Sequence, residues 1–142
     1  MRLAIAILST AAWLAAADLA GVKAEPDLER RSEFALANAD KALDEARKAL
    51  DQGQETELKT AIDEVHQSLV LSKESLVQSG KNARRNPKYF KKAEIGIRKL
   101  IRRLETFKLE VHVDEREPVE KLITRAHELQ DEIMLMVFKK KK

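Results

Sequence analysis

Three histidines, His66, His112 and His127, are the residues of this sequence best suited to hold a metal ion. A carboxylate-bridged di-iron bundle needs two Glu-x-x-His pairs and a glutamate from each of two further helices. The sequence contains no Glu-x-x-His, and Asp63-x-x-His66 supplies only one half of a variant pair. We therefore predict solvated or boundary histidines and no metal site.

Haem and nucleophilic catalysis are disfavoured by the same kind of argument. His127 and Met134 lie seven residues apart on one predicted helix, so they cannot occupy opposite axial positions on one iron. The sequence has no cysteine, which excludes disulfides, thiol catalysis and covalent c-type haem. It also lacks a Gly-x-Ser-x-Gly elbow and a glycine-rich phosphate loop. We expect no cofactor and no enzymatic activity.

Composition favours long helices as the elements that position the remaining side chains. The 142 residues are 36% charged and only 4% aromatic, and they include four glycines and three prolines. This length suits a single domain, and the low glycine and proline content argues against an all-β fold.

Residues 1–24 have the pattern of a secretory signal peptide. Arg2 precedes fifteen uncharged residues, Leu3 to Ala17, and small residues stand at −3 and −1 of two cleavage positions, after Ala17 and after Ala24. We favour cleavage after Ala24, which leaves a polar stretch before the cut; cleavage after Ala17 and an uncleaved anchor are the alternatives. The apolar run is shorter than the about 20 residues that a transmembrane helix needs. We expect a secreted or periplasmic protein with no transmembrane span in its mature chain.

Four later segments carry apolar or small residues at alternating steps of three and four, the period of packed helices. The predicted helices are 27–52, 55–79, 87–111 and 118–138. Gly53 and Gly80 are expected to end the first two helices, and Pro87 and Pro118 to open the last two. Because the connections are short, the sequence predicts an antiparallel, up-down-up-down four-helix bundle over residues 25–138, followed by a lysine tail at 139–142. An elongated pair of hairpins is the alternative geometry.

The side chains of the predicted buried stripes differ in size. The first stripe is mainly alanine, which lets its helix approach a neighbour closely, whereas the third contains Phe90 and Phe107 and should fill the wider part of the core. The second stripe is Leu58, Ile62, Val65, Leu69, Ser72, Leu76 and Ser79.

Charge is distributed very unevenly along the chain. Residues 25–79 carry a net charge of −6 and residues 109–138 one of −5, whereas residues 81–108 contain 11 basic and 2 acidic side chains. One interpretation is that this basic block pairs with acidic residues of neighbouring helices. The other is that it forms a contact surface for an anionic partner. The candidate surface residues are Lys81, Arg84, Arg85, Lys88, Tyr89, Lys92, Lys139, Lys140, Lys141 and Lys142.

The last predicted helix ends in six consecutive apolar residues, Ile133 to Phe138, directly before the lysine tail. Met134, Leu135 and Phe138 do not belong to the buried stripe. An apolar patch beside a cationic tail can dock on an anionic bilayer or a partner. The alternative is a plain bundle end, where lysines at a helix C-terminus are favourable.

The sequence therefore predicts a non-catalytic, helical-bundle interaction protein of the bacterial periplasm or cell envelope. A peripheral protein that binds anionic lipid or a polyanion through the third predicted helix and the lysine tail is the alternative. The architecture resembles small stress-induced periplasmic helical proteins, but their Leu-Thr-x-x-Gln repeats are absent. The partner is expected to be a protein or an anionic envelope surface, and a homo-oligomer is a further alternative. Nucleic acid is disfavoured because an exported chain seldom meets it.

Overall fold

The computed structural model describes residues 17–138, and all regular structure in this range is helical. The elements are α1 (Leu19–Lys23), α2 (Leu28–Asp51), α3 (Glu55–Gln78), α4 (Lys88–Glu110), a 3₁₀ turn (Val113–Glu115) and α5 (Glu117–Phe138). The four long helices match the four predicted segments to within one residue at every end, which confirms the all-α prediction. The first 16 residues of the predicted signal peptide and the lysine tail, 139–142, lie outside the described residues.

Gly53 and Gly80 end α2 and α3, as the sequence predicts. Their φ angles are 66° and 67°, in the left-handed region that costs glycine no steric strain. After α2 the backbone N–H of Gln54 donates to the carbonyl of Ala49 at 2.9 Å, which closes the turn on the last helical carbonyls. The chain then reverses within residues 52–54 and enters α3.

The long helices pack as two antiparallel hairpins. The Oγ atoms of Ser32 and Ser72 lie 2.9 Å apart, and the Asn38 Nδ2 donates to the Ser68 Oγ at 2.9 Å, so the sequence positions of α2 and α3 run in opposite directions. In the second hairpin the Gln130 Nε2 donates to the Glu94 Oε1 at 2.9 Å. The start of α4 and the end of α5 also line one shallow cleft, as in an antiparallel pair.

The two hairpins lie side by side, so that α2 contacts α4 and α3 contacts α5. Although α3 and α4 are consecutive, they touch less than α2 and α4 do, and less than α3 and α5 do. This differs from our expectation that each connection joins neighbouring antiparallel helices. The reason is the length of the connection: the nine residues 79–87 can extend for up to about 30 Å, enough to cross the end of the bundle.

The two hairpins contribute buried side chains of different typical size, mostly large on α4 and α5 and mostly small on α2. In α4 the predicted stripe is fully buried, including Phe90, Leu104 and Phe107. In α2 the buried residues are mainly alanines, which are 0–3% exposed: Ala35, Ala39, Ala42, Ala46 and Ala49. Gly96 lies where α4 meets α2, and a Cβ at this position would stand 3.0 Å from the Leu36 Cδ1. The glycine thus allows α4 to approach α2.

The buried stripe of α3 agrees with the sequence prediction at Val65, Leu69, Ser72 and Leu76 but also extends to one side of it. Ala61, Ser68 and Ser75 are buried, whereas Leu58 and Ile62 are only partly buried. Small side chains at Ser68 and Ser72 let α3 approach α2, where they bond Asn38 and Ser32. The larger Ile62 lies instead at the open boundary with α5.

Candidate contact surface

Two of the predicted surface residues turn towards α2 and pair there with carboxylates. Lys81, in the connection before α4, forms an ion pair with Glu29, and the Lys92 Nζ lies 2.7 Å from the Glu33 Oε1. The hydrogen bond to Glu29 raises the pKa of Lys81, and that to Glu33 raises the pKa of Lys92. These lysines therefore serve the interface between α2 and α4.

Tyr89, also predicted for the surface, is half-buried and packs against the core. The Nζ atoms of Lys88 and Lys92 each lie 5.3 Å from the centroid of its ring. At this distance the π face attracts both cations. The ring of Tyr89 thus contacts both the exposed Lys88 and Lys92, which is paired with Glu33 of α2.

Arg103 makes the third connection between the basic block and α2. Its Nη1 donates to the Asp40 Oδ1 at 2.7 Å, and its Nη2 donates to Asp44. Partial burial opposes the charged form of Arg103, but the hydrogen bonds to the two aspartates outweigh it and keep its pKa above the usual value. Together with Lys81 and Lys92, this arginine fits the interpretation that the block pairs with an acidic neighbour.

The rest of the basic block divides into cations paired within α4 and cations with no carboxylate within 4.0 Å. Arg98 pairs with Glu94, and Lys108 pairs with Glu105, both one helical turn away. Within residues 17–138, six exposed cations of the block form no ion pair: Arg84, Arg85, Lys88, Lys91, Lys99 and Arg102.

Four of these six cations share the face of α4 opposite to the core. Lys88, Lys91, Lys99 and Arg102, which we call the basic face, fall with Ile95 into one row of steps of three and four. The sequence prediction of the surface included Lys88 but not the other three. Their helical spacing was the signal that could have identified them.

Arg84 and Arg85 are presented by a compact turn in the connection before α4. The Asn82 Oδ1 accepts hydrogen bonds from the backbone nitrogens of Arg84 at 2.9 Å and Arg85 at 3.2 Å. Ala83, between Asn82 and Arg84 in sequence, is buried at 7% exposure. An asparagine that caps its own turn in this way fixes the backbone and directs the two arginines to solvent.

Exposed apolar side chains border the basic face. Ile95 is 40% exposed, Met134 39% and Phe138 64%, and all three line a shallow cleft of about 190 Å³ between α4 and α5. Lys91 and Arg98 stand at its rim. As the sequence predicts, Met134 and Phe138 lie outside the buried stripe, and Phe138 directly precedes the lysine tail.

The histidines lie away from this surface. His66 is half-buried in a cleft of about 390 Å³ between α3 and α5, with Asp63 and Leu122 among its lining residues, whereas His112 and His127 are exposed. Within the described range no three histidine, aspartate or glutamate side chains come together as metal ligands would. None of the helices in residues 17–138 is long and apolar enough to cross a membrane.

Comparison of the chain with family models, with curated proteins and with solved structures finds no match.

Proposed function

We propose that this chain is an exported, non-catalytic helical-bundle protein of the periplasm or cell envelope, and that it acts by docking on an anionic lipid surface. The observation that carries the proposal is the composition of the outer side of α4. The basic face presents four cations without a carboxylate partner in the described structure, and Ile95 lies among them. The leader-like sequence of residues 1–24 supports export.

An up-down-up-down arrangement of the four long helices is part of this proposal. The contact of Ser32 with Ser72 supports it, because it fits antiparallel α2 and α3. The contacts of Asp40 with Arg103 and of Lys73 with Glu132 also support it, because they fit α2 parallel to α4 and α3 parallel to α5. Alternation places the start of α4 and the end of α5 at the same end of the bundle. The apolar cleft and the residue that precedes the lysine tail then border the same surface as the basic face.

Charge complementarity and the apolar border together favour a bilayer over a soluble polyanion. Each lysine or arginine near an anionic bilayer contributes about 1 kcal/mol of attraction, so several such residues hold a protein without a specific pocket. Ile95, Met134 and Phe138 add side chains that can enter the headgroup region. A soluble polyanion such as heparin would gain from the charges alone. An acidic protein partner, the second candidate, is favoured by the same cations.

The proposal is tested by binding to vesicles that contain anionic lipid and to vesicles of zwitterionic lipid only. A Lys88→Glu, Lys91→Glu, Lys99→Glu variant should lose anionic-vesicle binding, and salt should release the original protein because exposed charges are screened. The matched control reverses three exposed lysines on α2 and α3 for which the described structure shows no ion pair: Lys41→Glu, Lys48→Glu and Lys59→Glu. Equal losses in both variants would indicate net charge alone and contradict a docking face.

A second variant separates the lipid surface from other anions. Phe138→Ser should weaken binding to anionic vesicles and leave binding to heparin unchanged. If Phe138→Ser binds anionic vesicles as strongly as the original protein does, and the original protein binds heparin as strongly as it binds vesicles, the partner is a polyanion. The lipid proposal is then wrong. A lack of binding to either would leave the acidic protein partner as the supported candidate.

A further inference from the structure

Part of the predicted signal peptide is packed onto the bundle. Residues 17–24, which we call the strap, run back along α2, with α1 in the middle, and α1 contacts α2. Ala17 packs against the core, and Leu19 and Val22 are partly buried. The Arg31 Nε donates to the carbonyl of Glu25 at 2.7 Å, just after the strap. Cleavage after Ala24 would remove this whole segment from the protein.

The strap satisfies a buried polar side chain of the bundle. Asn38 is only 4% exposed; its Oδ1 accepts from the backbone nitrogen of Asp18 at 2.7 Å, and its Nδ2 donates to the Ser68 Oγ at 2.9 Å. A buried amide is costly unless its polar atoms are paired. In a chain that started at Glu25, the Asn38 Oδ1 would have lost its only protein donor among the described hydrogen bonds.

Two carboxylates bind the backbone nitrogens of the residues before and after Asp18. The Glu45 Oε1, on α2, accepts from the Ala17 nitrogen at 2.8 Å, and the Glu64 Oε1, on α3, accepts from the Leu19 nitrogen at 3.3 Å. Within residues 17–138 neither glutamate forms an ion pair with a lysine or an arginine. The nitrogen of Asp18 donates to an amide oxygen, and the nitrogens before and after it in the chain donate to half-buried carboxylates. This set of nearby acceptors suits an ammonium group better than one neutral N–H.

We infer that signal peptidase cuts between Ala17 and Asp18, and that the mature chain keeps residues 18–24 of the strap. Its new α-ammonium is then held by Asn38, and by Glu45 and Glu64, which bind the neighbouring backbone nitrogens in the uncleaved chain. Water adds across the peptide bond: the C–N bond breaks, Ala17 leaves with a carboxylate and Asp18 retains the amine. Ala15 and Ala17 supply the small residues at −3 and −1. Cleavage precedes docking, because Ala17 is partly buried in the folded chain. The inference rests on the proposed export.

The N-terminus of the protein recovered from a Gram-negative host decides the inference. The full chain is expressed, and the product is analysed by N-terminal sequencing and intact mass, with Asp18 as the expected first residue. A start at Glu25, or at any other internal residue, would overturn the inference and leave export standing. Retention of Met1 would contradict export as well. Ala17→Gln should accumulate precursor or shift the start, whereas Ala24→Gln, the matched control, should still yield Asp18.

The role of the two carboxylates is tested on the same recovered protein. Glu45→Gln with Glu64→Gln should lower the Tm of the processed protein by at least about 3 °C, because the ammonium loses both charged partners. The control variant Glu74→Gln with Asp131→Asn removes two exposed carboxylates for which the described structure shows no ion pair, and should leave the Tm unchanged. Equal Tm values for both variants would show that the carboxylates do not hold the terminus.

Discussion

The buried side chains of α2 and α3 are mostly small, whereas those of α4 and α5 are mostly large and apolar. On the first side most buried residues are alanines and serines, with Asn38 as the largest polar group, and the larger buried residues are Leu43, Val65, Leu69 and Leu76. On the other side the core contains Phe90, Leu104 and Phe107 of α4 together with leucines and isoleucines of α5. Burial of apolar surface contributes roughly 25 cal/mol per Å², so the second hairpin supplies most of the hydrophobic stabilisation. The first supplies close backbone approach and polar contacts.

The two interfaces should therefore fail in opposite ways. Large side chains leave cavities when they are shortened, and small ones leave no room when they are enlarged. The polar pairs between α2 and α3 fix the alignment of these helices along each other, because a shift of one residue would separate Ser32 from Ser72 and Asn38 from Ser68. No equivalent set of buried polar pairs lies between α4 and α5 in residues 17–138.

The largest expected effect is the loss of a large side chain from α4. Leu104 is 0% exposed, so Leu104→Ala removes apolar contacts and leaves a cavity that rigid helices fill only in part. We expect the free energy of unfolding to fall by about 2–5 kcal/mol, measured by urea unfolding. Arg102→Ala is the control on the same helix, because Arg102 is exposed and Arg103 is paired to α2. A change below about 1 kcal/mol for Leu104→Ala would contradict the assignment of the core.

Enlargement of an alanine should damage the other hairpin instead. Ala42 is 0% exposed in α2, and Ala42→Leu forces α2 away from α3 or into strained rotamers. We expect a loss of about 1–3 kcal/mol in the free energy of unfolding. Ala37→Leu, at an exposed position of α2, should change it little. If both variants are equally stable, the two helices are not closely packed and the contrast between the hairpins is wrong.

How much of this arrangement the sequence predicts depends on the range of the interactions. Helix ends follow from local signals such as Gly53 and Gly80, and the stripe of α4 follows from period alone. The pairing of helices does not, because the 79–87 connection can reach either a neighbour or the diagonal position. The same holds for the surface: Lys81 and Lys88 look alike in sequence, and only the position of α2 makes one a partner of Glu29 and leaves the other exposed.

A serine pair tests whether polar contacts add to the stability of the close-packed hairpin. Ser72→Ala removes the partner of the buried Ser32 hydroxyl, and we expect a loss of about 0.5–1.5 kcal/mol. The double variant, Ser32→Ala with Ser72→Ala, should lose less than the sum of the two single variants, because no hydroxyl is then left without its partner. Strict additivity in this double-mutant cycle would show that the two hydroxyl groups do not interact.

The smallest expected effect lies between the two hairpins, where Glu132 of α5 meets Lys73 of α3 and lies 3.6 Å from the Arg125 Nη1. The hydrogen bond from Lys73 lowers the pKa of Glu132, so the contribution of this carboxylate to stability is present above its ordinary pKa and is lost as pH falls through the lowered value. Because the pair is partly exposed, we expect it to contribute no more than about 1 kcal/mol to stability.

The measurement compares the original protein with Glu132→Gln by urea unfolding at about pH 7 and at about pH 3, on either side of the usual carboxylate range. The difference in free energy of unfolding between the two proteins should shrink at the lower pH. The control is Glu74→Gln, at an exposed position of α3 with no ion pair in the described structure, which should differ from the original protein equally at both pH values. A difference for Glu132→Gln that is independent of pH would show that the charge of this carboxylate does not help to join α3 and α5.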